Sequence, residues 1–157
     1  EFVFQIKLDD LSGPEISSLL NEHLEDMRAT SPPESKHALD IDGLKDASVR
    51  FWTIWDQEKL AGCGALKKLS NELAEIKSMR TSRTHLNRGV ASQLLIHIIK
   101  QAKHDDFKEI SLETGSMDYF KPAFYLYEKH GFQLCKPFSD YKEDPNSLFM
   151  CLKLASA

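Results

Sequence analysis

The chain has 157 residues, 41% hydrophobic and 28% charged, with 20 basic against 24 acidic side chains and a formal net charge of −4. That length is expected to make one domain, residues 1–157, and the apolar share is too high for a disordered segment. The acidic balance argues against the basic composition of a nucleic-acid-binding domain, and no apolar run approaches the roughly 18 residues that cross a bilayer.

Phe2, Phe4, Ile6 and Leu8 alternate as in a strand, and Ser12-Gly13-Pro14 interrupts them. Ile16, Leu19, Leu20, His23, Leu24 and Met27 then recur at helical spacing. Residues 29–48, with Pro32-Pro33, are expected to be irregular apart from one short helix. Three consecutive strands follow at 49–55, 59–69 and 72–81, with short turns that imply an antiparallel meander. Gly62-Cys63-Gly64, inside the second of them, reads as a bulge or a point of close packing. Residues 89–104 form a broad apolar helical stripe, 108–113 a strand, 119–130 a helix stopped by Gly131, and 132–134 and 147–154 two closing strands. The order predicts a mixed α/β (α+β) domain on one largely antiparallel sheet.

No positively charged segment followed by an apolar stretch opens the chain. Cys63, Cys135 and Cys151 are odd in number and unpaired in spacing, so buried free thiols in a reducing, cytoplasmic compartment are expected. The histidines and cysteines show no metal-binding spacing, and no metal is expected.

The strongest local signal is Thr84-His85-Leu86-Asn87-Arg88-Gly89-Val90-Ala91-Ser92, a short turn that opens a helix. The first turn of a helix presents unpaired N–H groups at the positive end of the dipole, a natural anion site. Gly89 admits a ligand close to the main chain, and Arg88 and Ser92 add donors. Read alone, a plain helix start carrying an arginine is the commoner explanation.

Several segments join this turn: Glu75-Ile76-Lys77-Ser78-Met79-Arg80-Thr81 before it, then Ser111-Leu112-Glu113-Thr114, then the stretch from Ala123 through Tyr127-Glu128-Lys129-His130-Gly131-Phe132. Together, over about residues 50 to 135, they resemble the GNAT superfamily of N-acetyltransferases. Ser31-Pro32-Pro33-Glu34-Ser35, Leu112-Glu113-Thr114-Gly115-Ser116 and Glu143-Asp144-Pro145-Asn146-Ser147 are similar to a bacterial acetyltransferase branch. The resemblance implies about seven strands, mostly antiparallel, flanked by helices on both faces. It also implies acetyl-CoA as co-substrate and acetyl transfer to a primary amine of a small molecule or protein, by direct attack in a ternary complex. The implied partners are acetyl-CoA and that amine, with neither nucleic acid nor membrane. Assembly stays open, a homodimer included.

Carried over residue by residue, the resemblance places the pyrophosphate loop on Leu86, Asn87, Arg88, Gly89, Val90 and Ala91, with Ser92 beside it. Leu86 stands where the family usually has Arg or Gln, which removes one side-chain contact. Met79, Arg80 and Thr81 fall where main-chain groups, those of Met79 and Thr81 above all, pair with the pantetheine arm. Tyr127 matches the acid that protonates the departing thiolate. The base is either Glu75, which is favoured, or Glu113. Phe120 stands where many relatives carry an asparagine. Arg28, Ser35 and His37 are candidate acceptor contacts, although a solvated surface loop explains that region equally well. His85 is expected to meet cofactor or solvent. The Leu86 and Phe120 departures keep an alternative open: a catalytically weak acyl-CoA-binding regulatory domain.

Overall fold

The structure, a computed structural model, describes residues 3–30 and 41–155. Ser35 and His37 lie outside them. In chain order the elements are β1 (Gln5–Leu8), α1 (Pro14–Thr30), α2 (Ile41–Leu44), β2 (Val49–Asp56), β3 (Lys59–Lys68) and β4 (Leu73–Thr81). They continue with α3 (Val90–His104), β5 (Glu109–Gly115), α4 (Lys121–Lys129), β6 (Gln133–Leu134) and β7 (Ser147–Lys153). The seven strands form one sheet in the order β1-β2-β3-β4-β5-β7-β6, and β4–β5 is its one parallel pair among the described residues.

Alternation in β2 shows how the two faces are filled. Phe51 packs with Leu11, Ile16, Leu19 and Leu20 on the face covered by α1 and α2. Trp52 and Ile54 pack with Val90, Leu94, Leu95, Ile98 and Ala102 of α3 on the other face. Those five α3 positions belong to the apolar stripe of the sequence, and burying each large aliphatic side chain contributes about 2 kcal/mol. The expected helix at 119–130 divides in two. Pro122 lacks an N–H and its ring crowds the carbonyl four residues back, so Asp118–Phe120 winds as a tighter 3₁₀ turn before α4. Of the cysteines only Cys63 is buried, while Cys135 and Cys151 are half-buried, so the expected burial of all three is corrected.

Two irregularities shape the centre of the sheet. The β4–β5 ladder runs from Leu73↔Glu109 to Ile76↔Leu112 and stops, although β4 continues to Thr81 and β5 to Gly115. On the other side of β4 the partners pass from Ala65↔Lys77 to Cys63↔Arg80, two steps on β3 against three on β4. The extra residue is a β-bulge, marked by Ser78 at φ 55. A bulge bends its strand and adds twist, which carries β4 away from β5. Gly62 and Gly64 are the close-packing points expected of them. A Cβ on Gly62 would sit 2.7 Å from the Arg80 carbonyl oxygen, and one on Gly64 2.4 Å from the Met79 sulfur.

Candidate active site

The parted strands open a cavity of about 110 Å³, walled by Glu75, Lys77 and Met79 of β4, Glu113 of β5, Tyr127 of α4, and His23 and Met27 of α1. Phe120 and Tyr141 complete the wall. Pairing of Glu75 with Ser111 sets Glu75 and Glu113 on one face, opposite Ile76 and Leu112, so period 2 brings both carboxylates to the same space. The two candidate bases and the candidate acid thus meet in one cavity.

Their surroundings differ. Glu75 is 3% exposed, and its Oε2 accepts the Tyr141 hydroxyl at 2.6 Å and the Lys77 ammonium at 3.3 Å. Glu113 is half-buried and accepts the Ser147 hydroxyl at 2.8 Å. Tyr127 lies edge-on to Phe132 with ring centroids 5.6 Å apart, and burial pushes its phenol well above the usual range, so it stays protonated. Burial first, then the nearby Arg80 guanidinium, pulls His23 down to about 4 against the opposing Asp26 and Glu22 carboxylates, so its imidazole is neutral at pH 7.

The bulge at Ser78 also decides where the next residues point. Regular alternation would put Met79 on the α1 face and Arg80 on the α3 face. The extra residue inverts this: Met79 packs against the α3 core, and Arg80 turns to α1. There Arg80 bonds Glu22 at 2.7 Å, Asp26, and the Tyr119 hydroxyl at 2.6 Å, and Asp26 also takes Arg83 at 2.7 Å. The Arg80 side chain therefore ties α1 to β4 and to the turn before α4. Beyond Ile76, among the described residues, no strand is paired to the edge of β4 that faces β5.

The turn into α3 is open. Gly89 is the N-cap at φ 81, with no side chain capping the helix, and a Cβ built on it would meet nothing within 4 Å. Asn87 also takes a positive φ, 63°. The first-turn N–H groups of α3 therefore have no side-chain cap, and the space beside Gly89 is open. Val90 offers only its N–H, because its side chain is 2% exposed in the core. The Ser92 hydroxyl lies 3.0 Å from His130 Nε2 at the end of α4. Leu86 is 55% exposed, so the missing polar side chain leaves an apolar one at the rim. His85 corrects its expectation. It is buried, with Nε2 3.0 Å from Asp56 and Nδ1 2.7 Å from the Thr84 hydroxyl, and it clips the turn to the β2–β3 hairpin. Arg88 reaches the same Asp56 carboxylate at 3.9 Å.

Arg28 is exposed and outside the cavity wall. His23 and Met27, four apart on one helical stripe, face inward, and the next residue turns about 100° away. Sequence reasoning missed His23, Lys77 and Tyr141 as site residues. Tyr141 lies in an irregular connector without periodicity; its one cue is Phe138 three residues earlier, which packs against it with centroids 5.0 Å apart. Among the described residues no helix is long and apolar enough to cross a membrane, and no cluster of three or more His, Cys, Asp or Glu side chains could hold a metal.

The comparisons with known proteins agree with this architecture. The chain is 56% identical over 149 residues to "Uncharacterized N-acetyltransferase YsnE" of Bacillus subtilis (strain 168), covering 95% of this chain and 99% of that one. It is 47% identical over 152 residues to "Uncharacterized N-acetyltransferase YedL" of Escherichia coli (strain K12), covering 97% and 96%. A Bacillus subtilis acetyltransferase solved in complex with CoA superposes with a TM-score of 0.73 at 21% identity, over 98% of this chain and all of that one, which shows a shared fold. The model of the Acetyltransferase (GNAT) family matches residues 16–132. The chain belongs to the GNAT family and is an acetyl-CoA-dependent N-acyltransferase.

Proposed function

We propose that the cavity between β4 and β5 is where an acceptor amine meets the thioester, with Glu75 as base and Tyr127 as acid. The observation that carries this reading is the convergence of Glu75, Glu113 and Tyr127 on the gap that opens where β4 and β5 part. The diphosphate of acetyl-CoA lies against the first-turn N–H groups of α3 from Gly89 to Ser92, with Asn87, Arg88 and Ala91 around it. Its pantetheine arm runs along the free edge of β4 at Met79 and Thr81. The open space over Gly89 supports this, because a Cβ there would occupy the ground a phosphate needs. The relative solved with CoA shares the fold that builds this turn.

The acceptor amine gives a proton to Glu75, and its nitrogen lone pair attacks the thioester carbonyl carbon. The tetrahedral intermediate collapses with cleavage of the C–S bond, and the thiolate takes the Tyr127 proton. Products are the acetamide and free CoA. Solvent returns the proton from Glu75 to Tyr127. Desolvation raises the proton affinity of the thiolate as well as that of the phenol, so a buried tyrosine remains matched to its task. Ser78 and Thr114 line the cavity, but among the described residues no hydrogen bond ties either hydroxyl to a base that could activate it, and no cysteine lines the wall, which supports direct attack. The neutral His23 and the apolar Met27 and Phe120 line the acceptor side, which suits an amine carried on an uncharged or apolar group.

Thiol release from acetyl-CoA across a panel of amines, with Tyr127→Phe as control, tests the reading. Amine-dependent release that falls sharply in the variant supports it. Release unaffected by the variant overturns the acid assignment.

A further inference from the structure

Glu75, Lys77 and Tyr141 form a closed triangle. The Tyr141 hydroxyl donates to Glu75 Oε2 at 2.6 Å, and the Lys77 ammonium donates to the same Oε2 at 3.3 Å and to the Tyr141 oxygen at 2.9 Å. Lys77 also lies over the Tyr141 ring, 5.5 Å from its centroid and within the roughly 6 Å reach of a cation–π contact. Two corners of the triangle are buried, with side-chain exposure of 9% for Lys77 and 4% for Glu75, and Tyr141 is half-buried. All of this falls on one carboxylate oxygen. Among the described residues no donor reaches Oε1.

The connector between β6 and β7 holds Tyr141 in place. Phe138, Tyr141 and Phe149 pack as an aromatic trio, with Phe138 edge-on to Phe149 at 6.0 Å and Tyr141 tilted on Phe149 at 5.6 Å. Phe149 is paired with Glu113 in the sheet, so the trio is built onto the strand beside the second carboxylate. An irregular segment with no strand partner of its own thereby delivers a hydroxyl into the cavity at a fixed point.

A carboxylate this buried would ordinarily take up a proton and lose its capacity as a base. An adjacent cation and a hydroxyl donor oppose that. We infer that Tyr141 and Lys77 are positioning residues that hold Glu75 ionised in the cavity wall and occupy Oε2, so that Oε1 is presented to the acceptor amine. The inference rests on the reading of Glu75 as base. It gives the connector 136–146 a role that no motif in it announces. The other titratable groups facing Glu75 are Glu113 from β5, His23 from α1 and Tyr127 from α4. Glu113 is a like charge that favours protonation of Glu75, and His23 and Tyr127 are neutral at pH 7. Among the described residues Lys77 is thus the cation in the wall of this cavity that offsets the pair of carboxylates.

The test is the titration of the Glu75 carboxyl carbon by NMR in protein labelled with 13Cδ-glutamate, the resonance being assigned by its loss in Glu75→Gln. Lys77→Met is expected to raise the midpoint by about one pH unit or more, and Tyr141→Phe by a smaller step. Lys77→Arg, which keeps the charge, is expected to restore it towards the wild type. Midpoints that coincide in wild type, Lys77→Met and Tyr141→Phe overturn the inference. A structural role alone would lower the melting temperature without moving the midpoint. The titration reads the triangle with no acceptor present, so absence of amine-dependent thiol release counts against the function and leaves this result standing. With an active amine, the acid limb of kcat/KM should move with the carboxyl midpoint in each variant, and an acid limb that stays in place while the midpoint moves would separate Glu75 from catalysis.

Discussion

Ile76 and Leu112 are the last partners of the parallel β4–β5 ladder, and the bulge at Ser78 begins two residues later. Below that pair the strands hold each other, and above it, among the described residues, no strand pairs with this edge of β4. Amide hydrogen exchange should register the difference. Adding CoA should slow exchange in residues 77–81, where an arm can pair with the edge, and leave 73–76 nearly unchanged because their ladder already exists. Uniform slowing of both segments would place the ligand elsewhere.

Gly89 combines a φ of 81° with empty space beyond its Cα. Gly89→Val would strain the backbone by about 1–2 kcal/mol and set a branched side chain where the diphosphate must approach. Calorimetric titration should show CoA affinity falling at least tenfold, well beyond the loss caused by Arg88→Ala on the exposed rim. Equal losses in the two variants would mean that side chains rather than main-chain donors bind the phosphates.

The two carboxylates in the cavity should separate in kinetics. Glu75→Gln is expected to lower kcat about a hundredfold or more, the usual scale for a lost general base, and Glu113→Gln less than tenfold. Tyr127→Phe should lower kcat by about a hundredfold with CoA affinity unchanged. The reverse order for the two glutamates would transfer the base to β5.

His23 gives a stability signature. Its folded-state value near 4 lies below the ordinary 6.5, so its neutral form is favoured by folding. That contribution is complete above about pH 6.5 and is lost as the pH falls towards 4. Between pH 7.5 and 5 the loss is about 2 kcal/mol. Denaturant unfolding of His23→Gln should show a decline smaller by that amount, while equal declines would mean that His23 charges freely in the folded protein.

Much of this was legible in the sequence because the signals were local. The stripe from Val90 to Ala102 and the meander at 49–81 follow from side-chain periods of 3.6 and 2, whereas the shared face of Glu75 and Glu113 needs the β4–β5 register. The glycine at the start of α3 is likewise a local feature, required by a positive φ. What stayed hidden depends on breaks in period or on contacts between distant segments. The bulge at Ser78 turned Arg80 away from the gap and into ion pairs with Glu22 and Asp26, and no single-residue preference marks a serine for that conformation. Tyr141 reaches Glu75 across 66 residues from a connector whose composition says only that it turns. His85 was read from its neighbours in sequence, whereas its partner Asp56 comes from a hairpin 29 residues earlier.

The most direct measurement is a crystal structure with CoA bound. The diphosphate should lie on the first-turn N–H groups of α3 from Gly89 to Ser92, with the pantetheine arm along β4 at Met79–Thr81 and the sulfur near Tyr127. Density for the cofactor in any other place, or a turn at Gly89 closed by protein side chains, would contradict the assignment of this gap as the site of acetyl transfer.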